Sequence, residues 1–431
     1  MTKLLLKNGT VVSSKGKKKA DVLVEGGKIM KVAASITDKD AKIIDCEGKF
    51  IIPGVIDTHV HLREPGGTHK EDFVTGSSAA LKGGVTTVLD MPNNNPPIDT
   101  ASRLADKYKL AEGRMKCNYK FFIVATGNNL SEIKKAKNAC GVKLFMGKST
   151  GGLVVGDDAD LEKIFKSVKG IPLVVHAEDE ARIEERKKKF EGVNDASVHS
   201  LIRDDEAAYI AVKKALHLAK KYGTRLHIAH VSTARELEAI KKFRGKNVTF
   251  EVATHHLFLN KDEYKKHGNF VKVNPPLRSE SNRKAVLSAL KSGFVDNVVT
   301  DHAPHTVSEK KLPYEKAPSG VPGLETLLPL MLDVVNHGEL TIERCVQVLC
   351  ENPAKIFSLK NKGAVKAGYD ADLVVVDMLK EAVVGAGGYK TKCGWSPYDG
   401  WKLVGWPTIV VCGGEVVGHI VSSLLNLFAY E

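Results

Sequence analysis

A chain of 431 residues is longer than one small domain usually is, and its length fits one large barrel with a lesser unit beside it. Hydrophobic residues make up 43% and aromatic residues 6% of the chain, which excludes a disordered protein. The formal charge of +13 is dispersed, and the densest basic runs, 15–19 and 186–189, lack interleaved aromatic residues or a nucleic-acid motif. They predict solvated faces and no nucleic-acid partner, while the positive excess favours anionic substrates.

The N-terminal apolar run is too short for a signal peptide, and no stretch reaches the length of a transmembrane helix. Seven cysteines lie between Cys46 and Cys412 without any Cys-x-x-Cys pair, which argues against a disulfide framework or a thiolate zinc site. We therefore expect a cytoplasmic protein with no membrane partner, whose cysteines are reduced core residues.

Short strands broken by glycine are predicted first, over 4–12 and 20–32. Eight short β-branched and apolar runs follow, each trailed by a polar or helix-patterned stretch. The runs are 55–62, 86–91, 119–125, 142–146, 171–177, 225–231, 248–255 and 297–302. Eight such units predict an α/β fold with a closed (β/α)8 barrel of the TIM type. Strand patterns return at 372–377 and 408–417, so both chain ends are expected to form one small β domain. The predicted domains are 1–52 with 361–431, and a barrel over 53–360.

Histidines fall at the ends of predicted barrel strands, where loops converge on the axis. His59 and His61 are two residues apart and share one face of the first strand, although such a pair alone is weak evidence for a metal. His176 ends the fifth run and His230 the sixth, and each alone could be a hydrogen-bonded core histidine. Asp301 ends the eighth run, either as a salt-bridge partner or as a ligand. Imidazole and carboxylate without thiolate suit zinc, with cobalt or manganese as alternatives.

Lys143 lies inside the apolar run 141–146, where a buried ammonium is costly. One explanation is an ion pair, or a side chain that reaches solvent at the strand end. The other is that the amine has added carbon dioxide, giving a carbamate whose two oxygens bridge two metal ions. The residues alone leave both explanations open.

Three further features follow from the residues. Arg63 stands beside the histidine pair, where its guanidinium would bind a substrate carboxylate through two parallel hydrogen bonds or else pair with a structural acid. The polar loop 306–318 after the last barrel strand is either a passive connection or a lid over substrate. The pair His255 and His256 is expected to support the site or the fold rather than to bind metal.

Motifs over essentially the whole chain resemble the dihydroorotase family of the cyclic amidohydrolases. They are DTHVHLREPG at 57–66, MPNNNP at 91–96, NPPLR at 274–278, DHAPH at 301–305, NPA at 352–354, GYDADL at 368–373 and SPYDGW at 396–401. The resemblance implies reversible cyclisation of N-carbamoyl-L-aspartate to L-dihydroorotate in pyrimidine (UMP) biosynthesis. A metal-bridging hydroxide would be the nucleophile, and Asp301 would act as general base and then acid.

The resemblance also implies the roles of individual residues. One zinc ion would be held by His59, His61 and Asp301, a second by His176 and His230, and a carbamate on Lys143 would bridge the two. The residues expected to bind substrate are His61, Arg63, Asn93, Asn274, His305, Ser319 and Gly320. Some relatives carry an aspartate a few residues after the lysine, where this chain has Gly147 and Lys148. That departure favours Lys143 as the bridge, with Lys148 and Asp157 as weaker alternatives.

Two other functions remain open at this point. An allantoinase or a hydantoinase (dihydropyrimidinase) would share the metal site but lack the arginine at position 63, and a non-catalytic scaffold homologue would lack ligands. The family resemblance allows association with aspartate carbamoyltransferase, and a homo-oligomer is an open prediction. The apolar tail, 419–431, is expected either to pack on the barrel or to mediate self-association.

Overall fold

The computed structural model describes residues 3–148 and 152–419. From residue 420 onward the tail lies outside the described residues, so its expected packing or self-association is not tested. The chain begins with seven short strands. They are β1 (Leu4–Lys7), β2 (Thr10–Ser13), β3 (Gly16–Lys19), β4 (Asp21–Glu25), β5 (Lys28–Ala33), β6 (Lys42–Asp45) and β7 (Phe50–Pro53).

The barrel follows, and each of the eight predicted runs contains one of its strand positions. The third position is interrupted at Phe122, so it consists of two short strands. The barrel strands are β8 (Val55–Val60), β9 (Val85–Asp90), β10 (Asn118–Phe121) with β11 (Ile123–Val124), β12 (Val142–Phe145), β13 (Leu173–His176), β14 (Leu226–Ile228), β15 (Val248–Ala253) and β16 (Asn297–Val299). Neighbours pair in parallel, and a parallel bridge between Val60 and His302 joins the first position to the last. The predicted (β/α)8 barrel is confirmed.

Helices fill the connections and surround the barrel. They are α1 (Phe73–Lys82), α2 (Ala101–Ala111), α3 (Leu130–Lys135), α4 (Asp158–Ser167), α5 (Glu180–Lys188), α6 (His199–Ile202), α7 (Asp205–Tyr222), α8 (Ala234–Phe243), α9 (Thr254–Phe258), α10 (Tyr264–His267), α11 (Glu280–Lys291), α12 (Val307–Lys310), α13 (Leu327–Asn336), α14 (Ile342–Val346) and α15 (Asn352–Ile356). Helix α7 shows why they form: Asp204 caps its first turn, Gly223 ends it in the left-handed conformation, and alanine, valine and leucine side chains cover its buried face.

Both chain ends meet in the small β domain. The last strands are β17 (Leu373–Val383), β18 (Lys402–Cys412) and β19 (Glu415–His419), and β17 pairs antiparallel with β7. Leu6 and Val22 from the N-terminal end share a core with Val375 and Val411 from the C-terminal end. The predicted β domain built from both ends is confirmed, although β3, β6 and β7 were not among the predicted strands. The boundaries at 52/53 and 360/361 stay a prediction.

A segment of the C-terminal part leaves the β domain and returns to the barrel. Trp395 and Tyr398 are buried in a cluster with Tyr314 and Val321 of the barrel unit. The Trp395 indole Nε1 donates a hydrogen bond to the backbone oxygen of His305 at 2.8 Å. Residues from beyond the barrel therefore support the loop that carries a predicted substrate contact.

The predictions made from the cysteines, the basic runs and the hydrophobicity of the chain agree with the fold. All seven cysteines are free thiols, six of them buried and Cys412 half-buried. The basic run at 15–19 lies on the exposed strand β3, and the run at 186–189 ends helix α5, so both are solvated faces. In the part of the chain that the structure describes, no helix is both long enough and apolar enough to cross a membrane.

Candidate active site

The six predicted metal ligands converge at the carboxyl ends of the barrel strands. His59 and His61 come from the end of β8, Lys143 from β12 and His176 from the last position of β13, while His230 and Asp301 follow β14 and β16. All six side chains are buried. The backbone turns sharply at two of the strand ends, because His230 (φ 37°) and Asp301 (φ 49°) have left-handed conformations, and so does Arg63 (φ 63°).

One group of ligand atoms surrounds the Asp301 carboxylate. Its Oδ1 lies 3.1 Å from His61 Nε2 and 3.4 Å from His59 Nε2. Lys143 Nζ lies 3.4 Å from the same His59 nitrogen. The first predicted metal position and the predicted bridge are therefore adjacent.

The second group joins the first. His176 Nδ1 and His230 Nε2 are 3.0 Å apart, and the ring centroids of His59 and His230 are 5.3 Å apart. One ligand atom from each of His59, His230 and Asp301 lies within 4.8 Å of the other two. The structure thus brings all six predicted ligands into one cluster.

Each of three histidines is oriented by a hydrogen bond on its outer nitrogen. His59 Nδ1 lies 2.5 Å from Glu251 Oε1, His61 Nδ1 lies 2.7 Å from Asn93 Oδ1, and His176 Nε2 lies 2.9 Å from Glu178 Oε2. A carboxylate can only accept, so the outer nitrogens of His59 and His176 carry a proton, whereas His61 has an oxygen acceptor at each nitrogen. Outer hydrogen bonds of this kind orient metal-binding histidines so that the inner nitrogen is directed at the ion.

This donor set fits divalent cations. His59 and His61 direct ring nitrogens at the Asp301 carboxylate, so nitrogen and oxygen donor atoms of three side chains converge on one point. Burial lowers the pKa of His61 to about 3, which keeps this ring neutral and able to bind metal. The buried Nδ1 of His230 has no hydrogen-bond partner in the described part of the chain. We conclude that the cluster is a candidate metal centre.

Lys143 has no counter-charge of its own. Its Nζ forms no ion pair with a carboxylate of the described residues, and it lies 5.3 Å from the centroid of the Phe145 ring. Burial lowers the pKa of Lys143 to about 8. The missing ion pair contradicts the ion-pair explanation, and the pKa leaves roughly one amine in ten unprotonated at pH 7, beside the predicted ligands.

Several residues that orient the ligands were not predicted from the sequence. Glu251, on β15, accepts from His59 through one oxygen and lies 3.0 Å from His227 Nε2 through the other. Glu178 accepts from Arg203 Nη2 at 2.6 Å as well as from His176. A buried glutamate in the otherwise apolar run 248–253 is the same kind of anomaly as Lys143, so the sequence did contain a signal for Glu251.

The predicted substrate residue Arg63 lies beside the cluster. Its Nε donates to the Pro304 backbone oxygen at 3.1 Å, and its Nη2 lies 3.0 Å from His305 Nε2. Burial lowers the pKa of Arg63 to about 10, so the guanidinium is still charged at neutral pH. Among the residues described, no carboxylate forms an ion pair with it, which contradicts the alternative of a structural acid as its partner.

His305 and Ser319 lie next to Arg63. Lys70 Nζ is 3.1 Å from His305 Nδ1, and the His305 Nε2 atom is 3.1 Å from the Ser319 backbone oxygen. Burial, and then the nearby charges of Arg63 and Lys70, hold the pKa of His305 well below its usual range. The neutral ring contacts Lys70 through Nδ1 and both Arg63 and the Ser319 backbone through Nε2, which ties the predicted substrate loop to the strand end.

Asn274 and Gly320 complete the predicted substrate set. The Asn274 Oδ1 atom is 2.8 Å from His199 Nε2, and the other nitrogen of His199 is 2.9 Å from the Tyr314 hydroxyl. Gly320 has a φ of 143° and approaches Ala303 so closely that a Cβ would lie 2.4 Å from that carbonyl oxygen. His199, which sequence reasoning missed, therefore orients a predicted substrate contact.

A cavity of about 870 Å³ opens at this side of the barrel. Asn274 and Ser319 lie in its wall together with six basic side chains. Those basic residues are Lys148, Lys187, Lys188, Arg203, Lys272 and Lys316. The wall also carries four glutamates, yet the excess is positive, as suits the approach of an anionic molecule.

Other candidates lie outside the cluster. Lys148 is half-exposed and pairs with Glu180 and Glu184, and Asp157 caps helix α4, so neither alternative to Lys143 reaches the ligands. His256 Nε2 donates to the Pro275 backbone oxygen at 3.1 Å, as expected for a supporting role, and His255 is buried beside it. The loop 306–318 begins with the short helix α12, and whether it moves as a lid stays a prediction.

A parallel barrel with a histidine, lysine and aspartate cluster at its carboxyl end defines a class of barrel hydrolases with a candidate metal centre. The profile of the amidohydrolase family matches residues 50–417. The chain belongs to the amidohydrolase family.

Three curated relatives of this chain are dihydroorotases. The dihydroorotase of Methanosarcina acetivorans is 36% identical over 97% of this chain and 92% of its own length. The dihydroorotase of Pyrococcus horikoshii is 39% identical over 91% of this chain and 87% of its own length. The dihydroorotase of Bacillus cereus is 35% identical, covering 98% of this chain and 99% of its own.

Two solved structures that are similar to this chain are hydantoinases or dihydropyrimidinases. The L-hydantoinase (dihydropyrimidinase) from Arthrobacter aurescens superposes with a TM-score of 0.93 at 34% identity, covering 97% of this chain and 96% of that one. The dihydropyrimidinase from Brevibacillus agri gives a TM-score of 0.90 at 28% identity, with 97% and 95% covered. The shared fold therefore does not by itself select between the two kinds of substrate.

Proposed function

We propose that the chain is a dihydroorotase, which interconverts N-carbamoyl-L-aspartate and L-dihydroorotate in pyrimidine biosynthesis. The observation that carries this proposal is the buried, charged guanidinium of Arg63, which has no carboxylate partner among the described residues and lies beside the ligand cluster. Burial of an unpaired charge is costly, so an anionic ligand is needed to compensate it.

The chemistry of the substrates explains why Arg63 matters. Dihydroorotate carries a carboxylate on its ring, and a planar guanidinium binds a carboxylate through two parallel hydrogen bonds. Hydantoin and allantoin carry no carboxylate, so Arg63 would remain uncompensated in their complexes. Asn274 and Ser319 line one cavity, and His305 contacts both Arg63 and Ser319, so these residues and Gly320 would complete the contacts to the substrate.

The donor set supports two divalent ions, and zinc suits imidazole and carboxylate ligands. His59, His61 and Asp301 would hold one ion, and His176 and His230 the other. Bound there, the ions would lower the pKa of a water molecule and polarise the carbonyl of the ring amide. Arg63 would orient the substrate so that this carbonyl faces the cluster.

Asp301 is the proposed catalytic residue. Its carboxylate lies among the predicted ligands, with Oδ1 3.1 Å from His61 Nε2. The carboxylate accepts the proton of the attacking water and delivers it to the ring nitrogen that leaves when the C–N bond breaks. Ring closure in the biosynthetic direction uses the same steps in reverse.

Lys143 is proposed to carry a carbamate. Its unprotonated Nζ adds to the carbon of carbon dioxide and loses one proton, and the carbamate that forms shares one negative charge between two oxygens. The position of Nζ, 3.4 Å from His59 Nε2, supports a role of these oxygens as a bridge between the two ions. The pKa of about 8 leaves the amine reactive enough for this addition.

A hydantoinase (dihydropyrimidinase) is the second candidate, favoured by solved structures that superpose on most of the chain. It is the weaker candidate because it leaves Arg63 without a function. Zinc as the metal, a cytoplasmic location, association with aspartate carbamoyltransferase and self-association stay predictions.

The test is an assay of the purified protein with dihydroorotate, hydantoin and allantoin, with the metal content per chain measured before and after chelation. We expect turnover of dihydroorotate, loss of activity on chelation and recovery with zinc. Turnover of hydantoin or allantoin but not of dihydroorotate would refute the assignment of dihydroorotate as the substrate. Full activity after complete removal of metal would refute the mechanism.

A further inference from the structure

Two buried lysines, Lys272 and Lys310, lie close to the predicted substrate contacts and have no role in the mechanism above. Both side chains are almost fully buried. Neither ammonium forms an ion pair with any carboxylate of residues 3–148 and 152–419. Burial of an unpaired cation is costly, so their retention at these positions needs a specific explanation.

Both ammonium groups donate to backbone carbonyls of one loop. Lys310 Nζ donates to the oxygens of Pro318 at 3.0 Å and Gly320 at 2.9 Å, and to that of Lys272 at 3.2 Å. Burial, and then the nearby charge of Lys272, hold the pKa of Lys310 well below its usual range, while three carbonyl acceptors favour the ammonium, the only form that supplies three N–H groups. Every proton of this ammonium is therefore used to fix the backbone.

Lys272 holds the same loop further along. Its Nζ donates to the backbone oxygens of Tyr314 at 2.6 Å and Ala317 at 2.7 Å, and it lies 4.2 Å from the centroid of the Tyr314 ring. Its own backbone oxygen also accepts from Gly320 N at 2.9 Å. Lys272 precedes Asn274 by two residues, so the loop is joined directly to the segment that carries Asn274.

We propose that Lys272 and Lys310 are positioning residues of the substrate site. Through five carbonyl oxygens they hold the segment 314–320 against the segment 272–274, which keeps Ser319 and Asn274 in the wall of one cavity and Gly320 next to Lys272. The inference rests on the proposed function, because these three residues are substrate contacts only in that proposal.

The experiment compares Lys310→Met and Lys272→Met with the unchanged protein, measuring kcat and KM for dihydroorotate, metal per chain and the thermal midpoint. Methionine keeps most of the length of the side chain and removes the donors. We expect KM to rise about tenfold or more, kcat to change much less and the metal content to stay the same, since the loop is displaced but the cluster is not. Lys311→Met is the matched control, because it removes the same charge from an exposed position next to Lys310.

A soluble, metal-loaded variant of either lysine whose KM stays within about twofold of the unchanged protein would overturn the proposal. A lowered thermal midpoint without a change in KM would do the same, since it would indicate a role in stability alone. Lys310→Gln, which keeps two donors, provides a milder variant with an intermediate KM expected. If all three variants were insoluble, the lysines would serve folding rather than the site, and the proposal would be wrong. Absence of dihydroorotate turnover in the unchanged protein would instead refute the proposed function.

Discussion

The candidate site has two halves that are built differently. The ligand half uses side chains from the ends of barrel strands, such as His59 on β8 and His176 on β13, and their orientation is fixed by buried acceptors. The substrate half uses loop residues, such as Asn274 and Ser319, and its orientation depends on buried cations that hold backbone carbonyls. The barrel itself positions the first half, whereas the second must be assembled from segments far apart in the chain.

This difference explains why a chain similar in sequence to dihydroorotases also superposes well on solved hydantoinases. The barrel determines where strand-borne side chains lie, and this chain shares that fold with a solved hydantoinase while it is similar in sequence to curated dihydroorotases. The choice of substrate depends on the loops, where a single side chain such as Arg63 changes the charge that the site must receive. Substitutions in the two halves should therefore change different measured quantities.

The largest effect is expected in the ligand half, for Lys143→Ala. Loss of the bridge removes two ligand oxygens, so activity should fall by about a thousandfold or more and bound metal to about one ion per chain or fewer. Lys134→Ala is the matched control, since that lysine is exposed on helix α3. Retained activity and two bound ions in the Lys143 variant would show that this lysine is not the bridge.

The next largest effect is expected in the substrate half, for Arg63→Gln, which should change substrate use but not metal binding. Arg63→Gln removes a charged donor pair, and kcat/KM for dihydroorotate should fall by about a hundredfold to a thousandfold, since a lost partner of a buried charge costs about 2 to 5 kcal/mol. Metal content should not change, because Arg63 is not a ligand. Any turnover of hydantoin provides the control reaction, and it should be affected far less. Equal losses on both substrates would contradict an assignment of Arg63 to the carboxylate.

A smaller effect is expected from the support of the ligand half, in Glu251→Gln. The amide cannot match the carboxylate in orienting His59 and His227, so metal affinity should fall by about tenfold to a hundredfold, as measured by competition with a chelator. The exposed Glu238, changed to glutamine, is the control. An unaltered metal affinity would mean that the short contact between Glu251 and His59 does not tune the ligand.

The smallest effect concerns pH and the support of the substrate half. Burial lowers the pKa of His199 from 6.5 to about 3, so the folded state excludes a proton that the unfolded chain takes up. The stability from this group is complete above pH 6.5 and is lost as the pH falls towards about 3, by at most about 1.4 kcal/mol per pH unit. In His199→Gln, the urea midpoint should depend less steeply on pH between about 6 and 4. The control is the exposed His217, changed to glutamine, for which the urea midpoint should depend on pH as in the unchanged protein. The same pH dependence in His199→Gln would contradict the prediction.

The barrel and the cluster were predictable from the sequence for one physical reason. Alternation of short apolar runs with helix patterns fixes the order of the strands, and polar residues at the ends of those runs must meet at one rim of a closed barrel. Asp301 and His176 could thus be placed together although 125 positions separate them. The interruption of the third strand at Phe122 left no trace in this pattern, since the residues on both sides are apolar.

The supporting residues were harder to predict, because their partners are set by tertiary contacts. His199 reaches Asn274 and Tyr314 from a short helix, and nothing in the pattern around it marks it as special. Lys310 follows Glu309 in a polar stretch that predicts solvent exposure, yet it is buried by the return of the loop over it. Only Glu251, a charge inside an apolar strand, carried a local signal.

The left-handed backbone at Arg63, His230 and Asp301 has a consequence for attempts to make the protein more heat-resistant. Side chains with a Cβ are disfavoured in this conformation by about 1 to 3 kcal/mol each, and glycine would relieve the strain. A screen that selects for thermal tolerance alone should therefore collect glycine at the three positions where each substitution removes a proposed ligand or substrate contact. The chain retains this strain where activity and heat resistance make opposite demands.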